Sequence, residues 1–183
     1  LEANKPSQRT WANHKSFGSF THREVARKAV RKSLVLLKNK ENTLPLNKKS
    51  RILVTGKNAH NIGHQCGGFT LYWQGFSDNK EINQATSIWQ GIKNNAPNAI
   101  LKEQLNDLKA EDYDIAVVVV GEVPYAEGFG DIRNGDNLII EAGSQINGQM
   151  NVSEPYGSSI ELKDLHPEDY STIKVLTDKN IPV

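Results

Sequence analysis

The sequence has little cysteine, little excess charge and no long apolar run. Its single cysteine, Cys66, excludes a disulfide within the chain. Lysine plus arginine (22) nearly balances aspartate plus glutamate (21), and the net charge of +1 leaves no electrostatic footprint for nucleic acid or an anionic membrane. No apolar run reaches the roughly 18 residues of a membrane span. We therefore expect no nucleic-acid partner and no membrane partner.

The remaining sequence predicts strands and helices in alternation. Short β-branched or apolar runs bounded by polar and turn residues predict strands at 52–55, 99–101, 115–120 and 181–183. Apolar residues at helical spacing predict helices over 21–39, 81–95, 103–109 and 167–178. In the first helix, Thr21 with Glu24 predicts a capping box, and the run 34–37 can turn extended before Asn39. This order predicts an α/β fold with a mostly parallel sheet flanked by helices on both faces.

Two segments show neither helical nor strand periodicity in their apolar residues. Residues 1–20 are polar and interrupted by Pro6 and Gly18, which predicts an extended arm or linker. Residues 132–158 are rich in glycine, asparagine and serine, which predicts an irregular insertion or small hairpin. Leu1-Glu2 is not a natural start, and the sequence stops where a further strand would begin. We therefore expect a piece of a larger protein, with residues 21–183 as its α/β domain.

Three carboxylates follow the predicted strand at 115–120 within ten residues: Glu122, Glu127 and Asp131. Ligands bind at the carboxyl ends of strands in open α/β sheets, although loops there are often acidic simply because they are solvated. Tyr125 and Phe129 flank Glu127, and aromatic walls can raise the pKa of a carboxyl group toward general-acid use. Glu127 is therefore the first candidate for a catalytic role.

A glycine-rich segment follows the predicted strand at 52–55 and lacks helical periodicity. It contains neither a lysine followed by serine or threonine nor the G-x-G-x-x-G spacing, which disfavours a phosphate-binding loop and a nucleotide cofactor. His60, His64 and Cys66 match no standard zinc spacing, and no second cluster completes a site. We therefore expect no cofactor and no metal.

Aromatic residues in the same segment suggest a different ligand. Phe69, Tyr72 and Trp73 stand among glycines, and flat aromatic faces suit the C–H faces of a sugar ring. The alternative is that Phe69 and Trp73 pack as satellites of the core. Both interpretations stay open at this point.

Four blocks of the sequence carry a family resemblance. They are AVRKSLVLLKN with LPL (29–39 and 44–46), ILVTG followed by NIGHQCGGFTLYWQG (52–56 and 61–75), VVVVGEVPYAEGFGD (117–131) and the helix ending DKNIPV. With them the chain resembles the second, α/β-sandwich domain of glycoside hydrolase family 3, the β-glucosidase and exo-β-glucanase family. The resemblance implies a three-layer sandwich with a mostly parallel sheet flanked by helices.

The resemblance also implies roles for particular residues. In that family a TIM-like barrel domain supplies an aspartate nucleophile, and the second domain supplies the general acid/base. The glutamate of PYAE, Glu127, corresponds to the acid/base. Trp73 of YWQG corresponds to one wall of the +1 sugar clamp, and Phe69 stands where relatives often have another tryptophan.

The implied function is that of a fragment of a retaining β-glucosidase or exo-β-glucanase acting on terminal β-D-glucosyl residues. The barrel is absent from this sequence, so residues 1–20 would lead from it and the isolated chain would be inactive. The implied partners are a β-glucoside or β-glucan oligosaccharide and the barrel domain. A non-catalytic carbohydrate-binding or structural α/β module is the alternative. We expect a periplasmic or extracellular location, although this chain shows no signal peptide.

Overall fold

The computed structural model describes residues 14–82, 84–126 and 159–183, together with the backbone of 133–134 and 137–138. The chain divides into two compact units, residues 1–45 and 46–183, and each is described by itself. None of the helices in these described ranges is long and apolar enough to cross a membrane.

Helix α1, Phe20–Ser33, is the main element of the first unit. It starts one residue before the predicted helix because Ser19 is the N-cap, and its side chain accepts a hydrogen bond from His22 N at 3.3 Å. The predicted capping box of Thr21 and Glu24 is therefore wrong. The helix ends at Ser33. Leu34, its C-cap, has extended backbone angles, and residues 35–37 belong to neither a helix nor a strand.

In the part of the chain that the structure describes, the main sheet of the second unit has three parallel strands. They are β1 (Ile52–Thr55), β2 (Ile100–Leu101) and β3 (Ile115–Val118), in the order β2-β1-β3. Beyond β3, Ala116 N donates a hydrogen bond to Pro182 O at 2.7 Å, so the last residues lie alongside this strand although they form no strand themselves.

Helices cover both faces of the sheet. Successive residues of β1 point to opposite faces. Leu53 packs with Tyr113, Ala116 and Leu176, the last from helix α5 (Pro167–Asp178). On the other face the core contains Ile52, Val54, Ala59, Ala96 and Ala99, with Trp89 and Ile92 of helix α3 (Ile88–Asn95) packed against it. The predicted three-layer fold class is confirmed.

Several predicted boundaries were wrong. The helix predicted over 81–95 begins only at Ile88, because Ser87 and Gln90 form a capping box: Gln90 N donates to Ser87 Oγ and Ser87 N donates to Gln90 Oε1. Residues 103–109 are not helical, and a 3₁₀ helix, Ala110–Asp112, follows them. Leu108 is buried in this segment, so its packing into the core, rather than the local spacing of apolar residues, determines the backbone conformation here.

The remaining elements are short. Helix α2, Ile62–Cys66, lies in the glycine-rich segment where no helix was predicted, and helix α4 is Leu162–Leu165. Strands β4, Arg133–Asn134, and β5, Asn137–Leu138, pair antiparallel within the predicted insertion. The rest of 132–158 lies outside the described residues.

Candidate active-site edge

The loops that follow β1 and β3 contact each other from their first residues onward. Gly56, directly after β1, has φ +99°, and a Cβ atom there would lie 3.0 Å from the backbone N of Val119. Asn58 Nδ2 lies against Gly121 and donates to Glu122 O at 3.5 Å. Because β1 and β3 are adjacent and parallel, both loops leave the sheet at the same edge. We call residues 119–126 the β3 loop.

Further along, the β3 loop packs against residues 67–75, which we call the aromatic loop. A side chain at Gly68 would collide with the carbonyl group of Tyr125, and a Cβ atom at Gly75 would lie 2.6 Å from Pro124 Cβ. Gln74 Oε1 accepts a hydrogen bond from Ala126 N at 2.6 Å. Glycine is required at both positions, because the Tyr125 backbone occupies the space of a side chain at Gly68, and Pro124 Cβ with the Gly67 carbonyl group occupies it at Gly75.

The aromatic loop has an unusual backbone. Phe69 (φ 57°) and Leu71 (φ 59°) adopt the left-handed conformation that non-glycine residues rarely adopt. Phe69 N donates to Trp73 O at 2.9 Å, and Tyr72 N donates to Thr70 O at 2.7 Å, which closes the tight turn. Strained backbone of this kind is typical of functional sites.

The turn displays aromatic side chains to solvent. Phe69 is 70% exposed, Tyr72 55% and Trp73 45%, and Tyr72 packs edge-to-face on Phe76 with ring centroids 6.5 Å apart. Within the described ranges, the core clusters include neither Phe69 nor Trp73. The loop therefore presents flat apolar surface at the edge where the β3 loop ends.

The histidines and the cysteine of the glycine-rich segment do not gather into a metal site. His60 Nδ1 lies 2.8 Å from Ser87 Oγ, and Cys66 is exposed. His64 uses both ring nitrogens, with Nδ1 3.1 Å from Asn58 Oδ1 and Nε2 3.0 Å from Ser77 Oγ. Among the residues that the structure describes, these three form no group with converging ligand atoms.

The partly buried environment of His64 disfavours its charged form. Burial lowers the pKa of its imidazole, and the positive charge of Lys57 lowers it further. A neutral ring can accept a hydrogen bond at one nitrogen and donate at the other. In its neutral form His64 can therefore bridge Asn58 and Ser77.

A charged cluster that the sequence reasoning missed lies at the start of α5. Lys57 Nζ contacts Glu168 Oε1 and lies 3.3 Å from Asp169 Oδ2. His166 lies beside them, with Nε2 3.7 Å from Glu122 Oε1. Burial opposes the charge of Lys57, but the two carboxylates outweigh it and raise the pKa of the amine. The available signal was the pair of acidic residues in the first helical turn, where carboxylates are favoured.

Comparison with known proteins now identifies the family. The model of the family described as "Glycosyl hydrolase family 3 C-terminal domain" matches residues 34–173. The chain belongs to glycosyl hydrolase family 3.

Two solved structures share the fold of this family 3 chain. The exo-1,3/1,4-β-glucanase ExoP of a Pseudoalteromonas species is 36% identical with a TM-score of 0.71, covering 100% of this chain and 20% of its own. A point mutant of the same enzyme is 37% identical with a TM-score of 0.74, covering 98% of this chain and 25% of its own. The lysosomal beta glucosidase of Dictyostelium discoideum is 33% identical over 64% of this chain and 17% of its own length. The chain thus spans a quarter or less of these relatives.

The structure of this family 3 chain brings some of the predicted site residues together. Phe69 and Trp73 stand on the aromatic loop, against the β3 loop. Glu122 is described, and its carboxylate lies near His166. Glu127 and Asp131 lie outside the described residues, which end in this loop at Ala126.

Proposed function

We propose that this chain supplies the general acid/base and the +1 sugar-binding residues of a retaining β-glucosidase or exo-β-glucanase. In this proposal Glu127 is the acid/base, and Trp73 with Phe69 binds the leaving-group sugar. The substrate is a β-glucoside or β-glucan oligosaccharide that loses its terminal β-D-glucosyl residue. The names of the relatives, a beta glucosidase and exo-β-glucanases, support the substrate class.

The observation that carries the proposal is the hydrogen bond from Ala126 N to Gln74 Oε1. It joins the residue directly before Glu127 to the residue directly after Trp73. A loop pair fixed at this point supports an acid/base next to the leaving-group site, because protonation must occur at the oxygen that links the departing sugar.

The chemistry assigns Glu127 two steps. In a retaining glycosidase the acid/base and the nucleophile stand about 5 to 5.5 Å apart. As the nucleophile attacks the anomeric carbon, Glu127 gives its proton to the glycosidic oxygen, and the C–O bond breaks. Glu127 then takes a proton from water, which attacks the glucosyl-enzyme and frees the nucleophile. Trp73 and Phe69 hold the leaving sugar through contacts with its C–H faces.

The nucleophile must come from another domain, for which we propose a TIM-like barrel preceding this chain. The exposed apolar residues of the first unit support such a partner: Phe17 is 82% exposed, Phe20 78% and Leu37 92%. Several large apolar side chains this exposed in one short unit are typical of an interaction site. A periplasmic or extracellular location for the whole enzyme is part of the proposal.

The acid/base role is tested with the complete enzyme that contains this chain. Glu127→Ala should lose most activity on substrates with poor leaving groups, which need protonation, and less on formation of the glucosyl-enzyme from an activated aryl glucoside. Azide should restore turnover and give a β-glucosyl azide, because azide attacks the intermediate without a general base.

Glu122→Ala is the matched control, since it removes a carboxylate from the same loop. It should change loop packing and show no rescue by azide. Normal activity of Glu127→Ala on disaccharides would overturn the assignment and make Glu122 or Asp131 the next candidate. The isolated chain should hydrolyse no aryl β-glucoside, because it lacks the nucleophile.

The +1 role is tested by comparing a disaccharide with β-glucosyl fluoride, which has no leaving sugar. Trp73→Ala should lower kcat/KM for the disaccharide about tenfold, roughly the loss of one aromatic contact of about 1.4 kcal/mol. The value for the fluoride should stay near that of the parent. An equal loss on both substrates would contradict a +1 role.

A non-catalytic carbohydrate-binding module is the second candidate, and the exposed aromatic loop favours it. In that case the isolated chain should bind β-glucan oligosaccharides by calorimetry, and Trp73→Ala should abolish the binding. Glu127→Ala should then leave every measured property unchanged. The two candidates therefore differ in the effect of a single substitution.

A further inference from the structure

An ion-pair cluster with one buried carboxylate lies at the start of α5. Lys57 is the second residue after β1, and its ammonium contacts Glu168 Oε1 and lies 3.3 Å from Asp169 Oδ2, both in the first turn of α5. Asp169 is only 2% exposed. Removing such charges from water costs several kcal/mol, so a pair of this kind is weak evidence for stability alone. A role in fixing geometry accounts for it better.

The pair is not a vacant cation site. His166, Glu168 and Asp169 bring ligand atoms within 4.8 Å of one another. The ammonium of Lys57, however, already lies against both carboxylates and offsets one of their two negative charges, and a divalent ion would have to displace it. Lys57 is therefore the cation of this cluster.

Asn58, the residue after Lys57, contacts the β3 loop and the helix that leads into the aromatic loop. Asn58 Oδ1 lies 3.1 Å from His64 Nδ1 on α2, the helix that leads directly into the aromatic loop. Asn58 Nδ2 donates to Glu122 O of the β3 loop at 3.5 Å. His166 provides a second link to the β3 loop, with its Nε2 3.7 Å from Glu122 Oε1.

We propose that Lys57 is a positioning residue: clamped by Glu168 and Asp169, it holds Asn58 so that the β3 loop and the aromatic loop keep one relative position. This inference rests on the proposed function of those loops. Lys57 touches no reacting atom in this scheme. It sets where the backbone of the β3 loop delivers the acid/base.

The test uses the complete enzyme and two substrates that differ in their need for protonation. Lys57→Met keeps the unbranched shape and most of the length of the side chain and removes its charge. On a disaccharide, which needs acid assistance, kcat should fall about ten- to a hundredfold, the size expected when a catalytic group is displaced by ~1 Å. On a dinitrophenyl glucoside the rate of glucosyl-enzyme formation should fall less than about threefold.

Folding defects are separated from positioning in two ways. Rates are normalised to the concentration of active sites, measured from the burst of dinitrophenol. The double variant Lys57→Met/Asp169→Asn removes the buried carboxylate charge that Lys57→Met alone would leave without its cation, and it should show the same selective loss. Lys174→Met is the matched control, because Lys174 makes an exposed ion pair with Asp178 at 2.8 Å on the same helix. It should be as active as the parent on both substrates.

Glu127→Ala is measured in parallel so that the two proposals fail differently. If Glu127→Ala shows the leaving-group dependence and the Lys57 variants do not, the positioning role is overturned and the proposed function stands. A proportional loss on both substrates in the Lys57 variants, per active site, also overturns it. If Glu127→Ala itself shows no leaving-group dependence, the proposed function fails and the positioning role fails with it.

Discussion

Two adjacent glycines allow the contact between the aromatic loop and the β3 loop to be tested in the isolated chain. A Cβ atom at Gly68 would lie 2.9 Å from the carbonyl carbon of Tyr125, whereas one at Gly67 would meet nothing within 4 Å. Gly67 has φ +78°, so its replacement strains the backbone without a collision. Gly68→Ala and Gly67→Ala therefore separate steric displacement from conformational strain.

The expected magnitudes are similar for the two single substitutions. Two carbon atoms in contact need about 3.5 Å, so Gly68→Ala must move the loops apart by roughly 0.6 Å or more. Such overpacking costs about 1 to 3 kcal/mol of unfolding free energy. Gly67 has ψ −171° as well as a positive φ, a backbone region that essentially only glycine adopts, so Gly67→Ala costs about 1 to 3 kcal/mol. Stability alone will not distinguish them.

Coupling to Gln74 will distinguish them. In the parent, Gln74→Ala removes the acceptor for Ala126 N and should cost about 1 kcal/mol. The same cost is expected in the Gly67→Ala background. In the Gly68→Ala background the loops are already apart, so Gln74→Ala should cost little, and the coupling energy approaches the whole of that roughly 1 kcal/mol.

The free energy of unfolding is measured by urea titration with tryptophan fluorescence for the parent chain, the three single variants and the two double variants that combine Gln74→Ala with Gly67→Ala or Gly68→Ala. An equal cost of Gln74→Ala in the three backgrounds would refute the inference that Gly68 permits the approach of the two loops. In the complete enzyme, Gly68→Ala should also reduce activity on disaccharides far more than Gly67→Ala does.

Three further predictions concern stability. Leu176→Ala should lower the unfolding free energy by about 2 to 5 kcal/mol in urea titrations, because Leu176 is fully buried. The pKa of His64 is lowered by burial and by Lys57, so the unfolded chain binds a proton at this residue at a higher pH than the folded chain does. The free energy of unfolding should therefore fall as the pH drops below the ordinary value of 6.5, and in His64→Gln the melting temperature should depend less on pH over that range. The hydrogen bond from Arg51 lowers the pKa of Asp114, so the ionised Asp114 stabilises the fold above the ordinary value of 3.8, and this contribution is lost as the pH falls through the pKa of the folded chain. The difference in melting temperature between the parent and Asp114→Asn should disappear over the same fall in pH.

Elements with a local signal could be predicted from the sequence. Helix α5 runs from Pro167 to Asp178 as predicted, because proline suits the first helical turn and Leu176 completes an apolar face. Strand β1 has its predicted bounds because four apolar or β-branched residues stand between polar ones. The three-layer fold follows from this alternation of strands and helices.

Competing local signals account for the helix boundaries that were wrong. Thr21 with Glu24 has the spacing of a capping box, but Ser19 precedes them and caps the helix. In α3 the apolar spacing continues upstream of Ser87, yet the side chain of Ser87 bonds Gln90 N and starts the helix there. Ser19 and Thr21 are both residue types that cap helices, and sequence spacing alone does not tell which of the two caps α1.

The contacts of the candidate site could not be predicted from the sequence. The glycines at 68 and 75 indicated a loop, but a missing side chain carries no information about which backbone will occupy its space. The cluster of Lys57, Glu168 and Asp169 joins residues more than a hundred positions apart, and no periodicity connects them. Such pairings depend on the register of the sheet, which only the folded chain defines.

In the aromatic loop, glycine positions contact the β3 loop, and most of the larger side chains contact solvent instead. Gly68 and Gly75 meet the β3 loop, while the side chains of Phe69, Leu71 and Tyr72 point to solvent and are at least half exposed. The attachment of the loop therefore does not depend on the chemistry that the loop displays. Exposed residues here can be exchanged in a library, with the two glycines and Gln74 held constant, without repacking the sheet edge. The fold thus offers a surface whose binding preference can change while its frame stays the same.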